Sequence, residues 1–270
     1  MNAPSFFDLS EGAKRVYSAV NEGRSVSCLM SGKARELDDI LSGLPEKDVA
    51  EWQVWIKAKD DYSRVEEERA SKRRQAERIA SALERSGIPQ RFRKRFEQLD
   101  RNKAQGAFDV CKGYVDSGLE HDGRPGLLLK GPPGTGKTSL STASLIRHID
   151  GGGNGHFINL SRWLQVAKDG FGRKGEQDGM MDATNWNFLV VDDLGRQKVT
   201  EWSAEALYVL IDTLYAEARH VIFTTNATKA QLEANIDEAI RSRVEEMTSS
   251  VVLAGEDLRR IHPTPSEGVS

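Results

Sequence analysis

The stretch GPPGTGKTSL, residues 131–140, restricts what this chain can fold into more than any other part of it. Gly131, Pro132, Pro133, Gly134, Thr135, Gly136, Lys137 and Thr138 satisfy the pattern GxxxxGK[ST]. The pattern follows an apolar run, GLLLK (126–130), and opens a helix-compatible segment, and this strand–loop–helix context is what a P-loop requires. Small residues let backbone N–H groups close around phosphate oxygens at a helix N-terminus, where the helix dipole favours negative charge. Lys137 is expected to reach the outer phosphates, the Thr138 hydroxyl to join a Mg²⁺ shell, and Ser139 to extend the phosphate cradle. The pattern therefore implies a nucleoside triphosphate with Mg²⁺.

A second apolar run, FLVVDDLG, carries two carboxylates to its C-terminal end, beside the P-loop in a parallel sheet. Asp192 is placed to hold the magnesium shell and Asp193 to orient the attacking water, one methylene shorter than a glutamate in that position; otherwise Asp193 is a supporting or capping carboxylate. Asn226 ends the run VIFTTN, where a polar group can touch both the γ-phosphate and the water, while Thr224 and Thr225 read as strand and helix-start residues. Arg243, with Arg241 beside it in AIRSRVEEM, suits a finger that acts on a neighbouring subunit's nucleotide, the other reading being a surface helix arginine. Arg259, next to Arg260, can fold back on its own nucleotide. Buried strands are expected at 126–130, 156–160, 188–191, 221–225 and 250–254 with helices between them, which is an α/β sheet wound by helices.

The first 86 residues have a different texture. Short helices are expected at about 10–22 and 32–42, then one long helix from residue 46 to Ser86, bounded by Pro45, Gly87 and Pro89. The long helix holds ten acidic and ten basic side chains, with Val49, Trp52, Trp55, Ile56 and Tyr62 near its start. It is either a solvated rod held by i,i+4 ion pairs or a helix that binds a partner through its aromatic end. A net charge of −3 confines nucleic-acid contact to a local basic patch. Cys28 and Cys111 lie far apart, the histidines form no ligand-spaced cluster, and neither a signal peptide nor a membrane span is visible. A cytoplasmic location is expected.

The P-loop, DDLG, TTN and RSRV, in that order and spacing, resemble the AAA+ ATPases. SGIPQRFR before the core and, from the acidic end of the second apolar run onward within it, DDLGRQKVTEWSAEALYVLIDTLY narrow the likeness to the DnaC/DnaI helicase-loader group, which includes the IstB transposition ATPases. The resemblance covers about 87–262 and implies a P-loop AAA+ core with a five-stranded parallel sheet. An all-helical, partner-binding domain (1–86) precedes it, and a disordered tail (263–270) follows. With 44 residues after Asn226, no full C-terminal lid is expected, which disfavours a processive unfolding motor.

The resemblance further implies a homo-oligomer when ATP is bound, slow or partner-stimulated hydrolysis, and a replicative DNA helicase held by the N-terminal helices and placed on single-stranded DNA. AKDGF, within SRWLQVAKDGFGRKG (161–175), is similar to the DNA-contacting segment of the DnaC loaders, which marks Lys168 and Phe171, with Arg173 and Lys174 adding phosphate contacts. Alternatively Trp163, Leu164 and Val166 are helix core and the basic residues are merely solvated. Phe92 and Phe96 in RFRKRF read as packing against the nucleotide domain, the other reading being contact with bases. The rival function within the same fold is an ATPase that assists a transposase. A small-molecule P-loop kinase leaves the arginine pattern without a role, and a structural adapter leaves the filled phosphate positions without one.

Overall fold

In the computed structural model, residue 5 and residues 9–23, 41–42, 44–170, 186–196 and 200–255 are described. The chain divides into two compact units, residues 1–76 and 77–270.

In the first unit, α1 (Glu11–Gly23) and the start of α2 (Glu46–Arg85) bury a core of their own. Ala13, Val16 and Val20 recur at helical spacing on α1 and cover Trp52 and Trp55, which are only 6% and 8% exposed. Tyr17 meets Trp55 edge to face at 5.7 Å, and the Lys59 ammonium lies 4.9 Å from the Trp55 ring. The aromatic end of the long helix is thus closed by the chain's own first helix, which corrects the expectation of tryptophans left bare for a partner. Ser10 ties the two elements by donating through both its N–H and its hydroxyl to the Glu51 carboxylate, at 2.7 Å each. Along the charged middle of α2 the ion pairs, Arg64–Asp61 and Arg69–Glu66, join residues three apart and remain exposed. The expected helix at 32–42 lies almost wholly outside the described residues.

The second unit is built on a parallel sheet in the order β2-β3-β4-β1-β5. Its strands are β1 (Gly126–Lys130), β2 (Gly155–Asn159), β3 (Phe188–Asp192), β4 (His220–Thr225) and β5 (Thr248–Val252). Period-two alternation sends Leu127, Leu129, Phe188, Val190 and Ile222 into one core, and Leu128, Leu189, Val191, Val221 and Phe223 into the other. α3 (Gln105–Asp116) and α4 (Lys137–Asp150) cover the first face together with Ile79, Ala82 and Leu83 from the end of α2. α5 (Leu160–Gly170), α6 (Glu201–Ala216) and α8 (Glu238–Met247) cover the second, and α7 (Lys229–Asn235) lies between β4 and α8 in the chain.

β5 begins two residues before its expected position. Thr248 Oγ1 donates to Val244 O and Thr248 pairs with Gly126, so the chain passes directly from α8 into the strand without a loop. No described helix is long and apolar enough to cross a membrane.

Candidate nucleotide site

The strand register brings the site together. β2 and β3 pair with Asn159 opposite Asp192, β3 and β4 pair with Val191 opposite Phe223, and β1 and β4 pair with Lys130 opposite Thr225. Each of these buried strands therefore delivers a polar residue to the same carboxyl-terminal edge of the sheet, where open α/β sheets bind ligands.

The P-loop leaves β1 at Gly131, where any Cβ would run into the Leu253 carbonyl oxygen. It enters α4 through Gly136 in the left-handed region at φ 94°. Lys137 is buried, and its ammonium donates to Gly131 O at 2.8 Å and Pro132 O at 2.6 Å, so it is oriented along the loop it serves. Asp192 is 5% exposed, and its Oδ1 accepts from the hydroxyls of Thr138 at 2.9 Å and Thr224 at 2.7 Å. Burial pushes the Asp192 carboxyl above its ordinary range, and the hydrogen bonds from Thr224 and Thr138 pull it partly back.

Asp193 adopts φ 66°, a left-handed conformation uncommon for a residue with a Cβ. Its N–H donates to Thr224 Oγ1 at 3.1 Å, and its carboxylate accepts from Asn226 Nδ2 at 3.2 Å and Asn159 Nδ2 at 3.3 Å. Thr224 thus serves both acidic residues, donating to one and accepting from the next, a role beyond the strand position expected for it. Asn159 was not singled out in the sequence, yet it holds Asp193 and also caps α5, accepting from Arg162 N at 3.3 Å. The polar residue closing the run HFIN marks Asn159 as a strand-end position, while its partner and the second role of Thr224 come only from the strand register.

These groups line a cleft of about 1110 Å³. Pro133, Gly134, Thr135, Gly136, Lys137, Thr138, Ser139, Asn159, Asp192, Asp193, Arg196 and Asn226 form one part of its wall, and Arg91, Phe92, Lys94, Leu99, Lys103 and Phe108 form another. Phe92 packs against the first core as expected, and Phe96 is buried within it, but the segment carrying them also closes the cleft. The donor set fits a nucleotide with Mg²⁺. The loop glycines leave room for phosphate, and among the described residues no group of three or more His, Cys, Asp or Glu could hold a metal by itself. A Mg²⁺ ion here would take Thr138 and Asp192 and fill its shell from phosphate and water, as this ion usually does.

Arg243 is bound into the surface of its own unit. It donates to the Tyr208 hydroxyl at 3.1 Å and to Ala239 O at 3.2 Å, pairs with Asp212 at 3.0 Å, and lies 5.0 Å from the Tyr208 ring. Arg241 faces Glu233 at 3.7 Å. Neither lines the cleft. On α5, Leu164 is buried and Trp163 packs beside it, while Val166, Arg162 and Lys168 are exposed. The apolar face expected of this helix is therefore narrower than Trp163, Leu164 and Val166 together, and Lys168 stands on the solvent side. Phe171, Arg173, Lys174 and Arg259 lie outside the described residues, as does the segment 263–270.

A parallel sheet in this strand order, with a P-loop leaving β1 and an acidic pair ending β3, defines a P-loop ATPase of the AAA+ class. The sequence profile of the IstB-like ATP binding proteins matches residues 58–262, and the chain belongs to that family. Comparison with the curated proteins finds no match. The fold is similar to the crystal structure of the DnaC helicase loader, with TM-score 0.56 and 23% identity over 62% of this chain and 100% of that one. It is also similar to DnaI, at TM-score 0.54 and 18% identity over 64% and 94% of the two chains. AMPPCP-bound DnaA from Aquifex aeolicus matches at TM-score 0.53 and 17% identity over 62% of this chain and 51% of that one. At these identities the likeness is one of fold.

Proposed function

We propose that this ATPase loads a replicative DNA helicase onto single-stranded DNA, with ATP governing the assembly. The observation that carries the reading is the coverage of the whole DnaC helicase loader chain by the same fold. It is joined here to a helical unit with its own core, a separate body with which to hold a partner.

In this reading Lys137 and the loop amides from Gly131 to Ser139 hold the phosphates, and Thr138 and Asp192 hold Mg²⁺. When bound, Mg²⁺ neutralises charge on the phosphate oxygens. Asp193 orients water, and Asn226, already on its carboxylate, reports the γ-phosphate to it. Phe92, Leu99 and Phe108 offer apolar surface to the base. ATP binding brings copies together so that Arg243 leaves Asp212 and Tyr208 for a neighbour's phosphate, and hydrolysis is slow until that exchange occurs. Lys168, with Phe171, Arg173 and Lys174, contacts DNA.

The family profile favours a second reading, an IstB-like ATPase that assists a transposase. Cross-linking of the full chain in cell extract, with mass spectrometry of the adducts on α1 and α2, separates the two. Helicase peptides are expected, and transposase peptides without helicase would replace the first reading by the second.

A further inference from the structure

Arg196 is a cleft residue to which the sequence motifs assign no role. It follows the turn after β3, lines the same wall as Lys137, Thr138, Asp193 and Asn226, and its side chain is 71% exposed. Its root is fixed. Leu194 N donates to Thr224 O at 2.8 Å, Thr225 Oγ1 donates to Leu194 O at 2.7 Å, and Asn235 Nδ2 donates to Gly195 O at 2.9 Å. The guanidinium, by contrast, has a single ion pair among the described residues, from Nη1 to Asp193 Oδ2 at 3.8 Å. A pair this long and this solvated holds the side chain only weakly. Arg243 differs on each count, since it is 25% exposed and committed to Asp212, Tyr208 and a main-chain carbonyl.

We propose that Arg196 is a phosphate-contact residue acting within its own chain, and that it distinguishes a nucleoside triphosphate from a diphosphate. Its planar fork and permanent charge suit phosphoryl oxygens better than a single distant carboxylate does. When a triphosphate enters the cleft, the guanidinium exchanges Asp193 for the terminal phosphoryl group. Asp193 stays on Asn159 and Asn226 and loses the cation beside it. A diphosphate lacks the group that draws the arginine across and leaves the Arg196–Asp193 pair in place. The inference rests on the nucleotide reading of the cleft and is independent of which macromolecule the ATPase serves.

The test is calorimetric binding of ADP and of a non-hydrolysable ATP analogue, in Mg²⁺, to the full chain and to Arg196→Ala, Arg196→Lys and Lys137→Ala. Arg196→Ala removes an exposed side chain and no core volume, so folding is preserved. It is expected to weaken the triphosphate about tenfold, the size of one hydrogen bond to a charged group, and to leave ADP unchanged. Arg196→Lys is expected to recover part of the loss. Equal shifts for both nucleotides, or a shift for neither, would overturn the proposal. Lys137→Ala reports on the cleft itself: it should weaken both nucleotides, and a parent chain that binds neither overturns the nucleotide reading instead.

Discussion

Thr224 shows how much of the site depends on single hydroxyls. It donates to Asp192 Oδ1 and accepts from Asp193 N, so replacing it with valine leaves a buried carboxylate one donor short and an N–H without its acceptor. Loss of a hydrogen bond to a buried charged group costs about 1–3 kcal/mol. The sign with pH follows from the Asp192 carboxyl, which burial already holds above its ordinary range. A group raised in the folded state favours folding at low pH and loses that contribution as pH rises through its folded value. Thr224→Val raises Asp192 further, so its destabilisation should be largest at neutral pH, where the carboxylate is ionised, and should shrink on acidification. Thermal unfolding of parent and variant at neutral and acidic pH checks this, and a pH-independent difference would show that the carboxylate is not the group affected. Thr224 reads in the sequence as one more β-branched strand residue. Its second role arises from the register of β3 against β4, which no local pattern states. Asn159 was hidden for the same reason, since it meets Asp193 only through the pairing of β2 with β3.

Elements were more legible than contacts. The first four strands were readable because each carries a short apolar run bounded by glycine or polar residues, β5 less so because it opens on Thr248, Ser249 and Ser250, and the long helix because Pro45 and Gly87 bracket it. The fate of its tryptophans was not, because it depends on α1 folding back over them. The spacing of Ala13, Val16 and Val20 was the available sign. α1 and the aromatic end of α2 form a core separate from the two beside the sheet, so damage to it should stay local. Trp55→Ala removes a ring that is 8% exposed and whose indole N–H donates to Ser5 O at 3.1 Å. A buried Trp→Ala change costs about 3–5 kcal/mol, enough to unfold a unit this small. Helical signal should fall and the first unit should become sensitive to protease, while nucleotide affinity is retained. A parallel loss of nucleotide binding would show that the two units do not fold independently.

At the scale of the whole molecule, the nucleotide cleft is joined to a helix that emerges from it. Asn159 ends β2, holds Asp193 and caps α5, so the helix that carries Lys168 starts at the acidic pair itself. The direct measurement is fluorescence anisotropy of a labelled single strand titrated with the full chain, with and without the ATP analogue, on the parent, Lys137→Ala and Lys168→Ala. Binding is expected to require the nucleotide, prefer single strands to duplex and weaken with salt. It should vanish in Lys137→Ala and show a shallower salt slope in Lys168→Ala, as expected where stacking and phosphate contacts act together. Binding that is indifferent to nucleotide, or the same in all three proteins, would contradict this expectation.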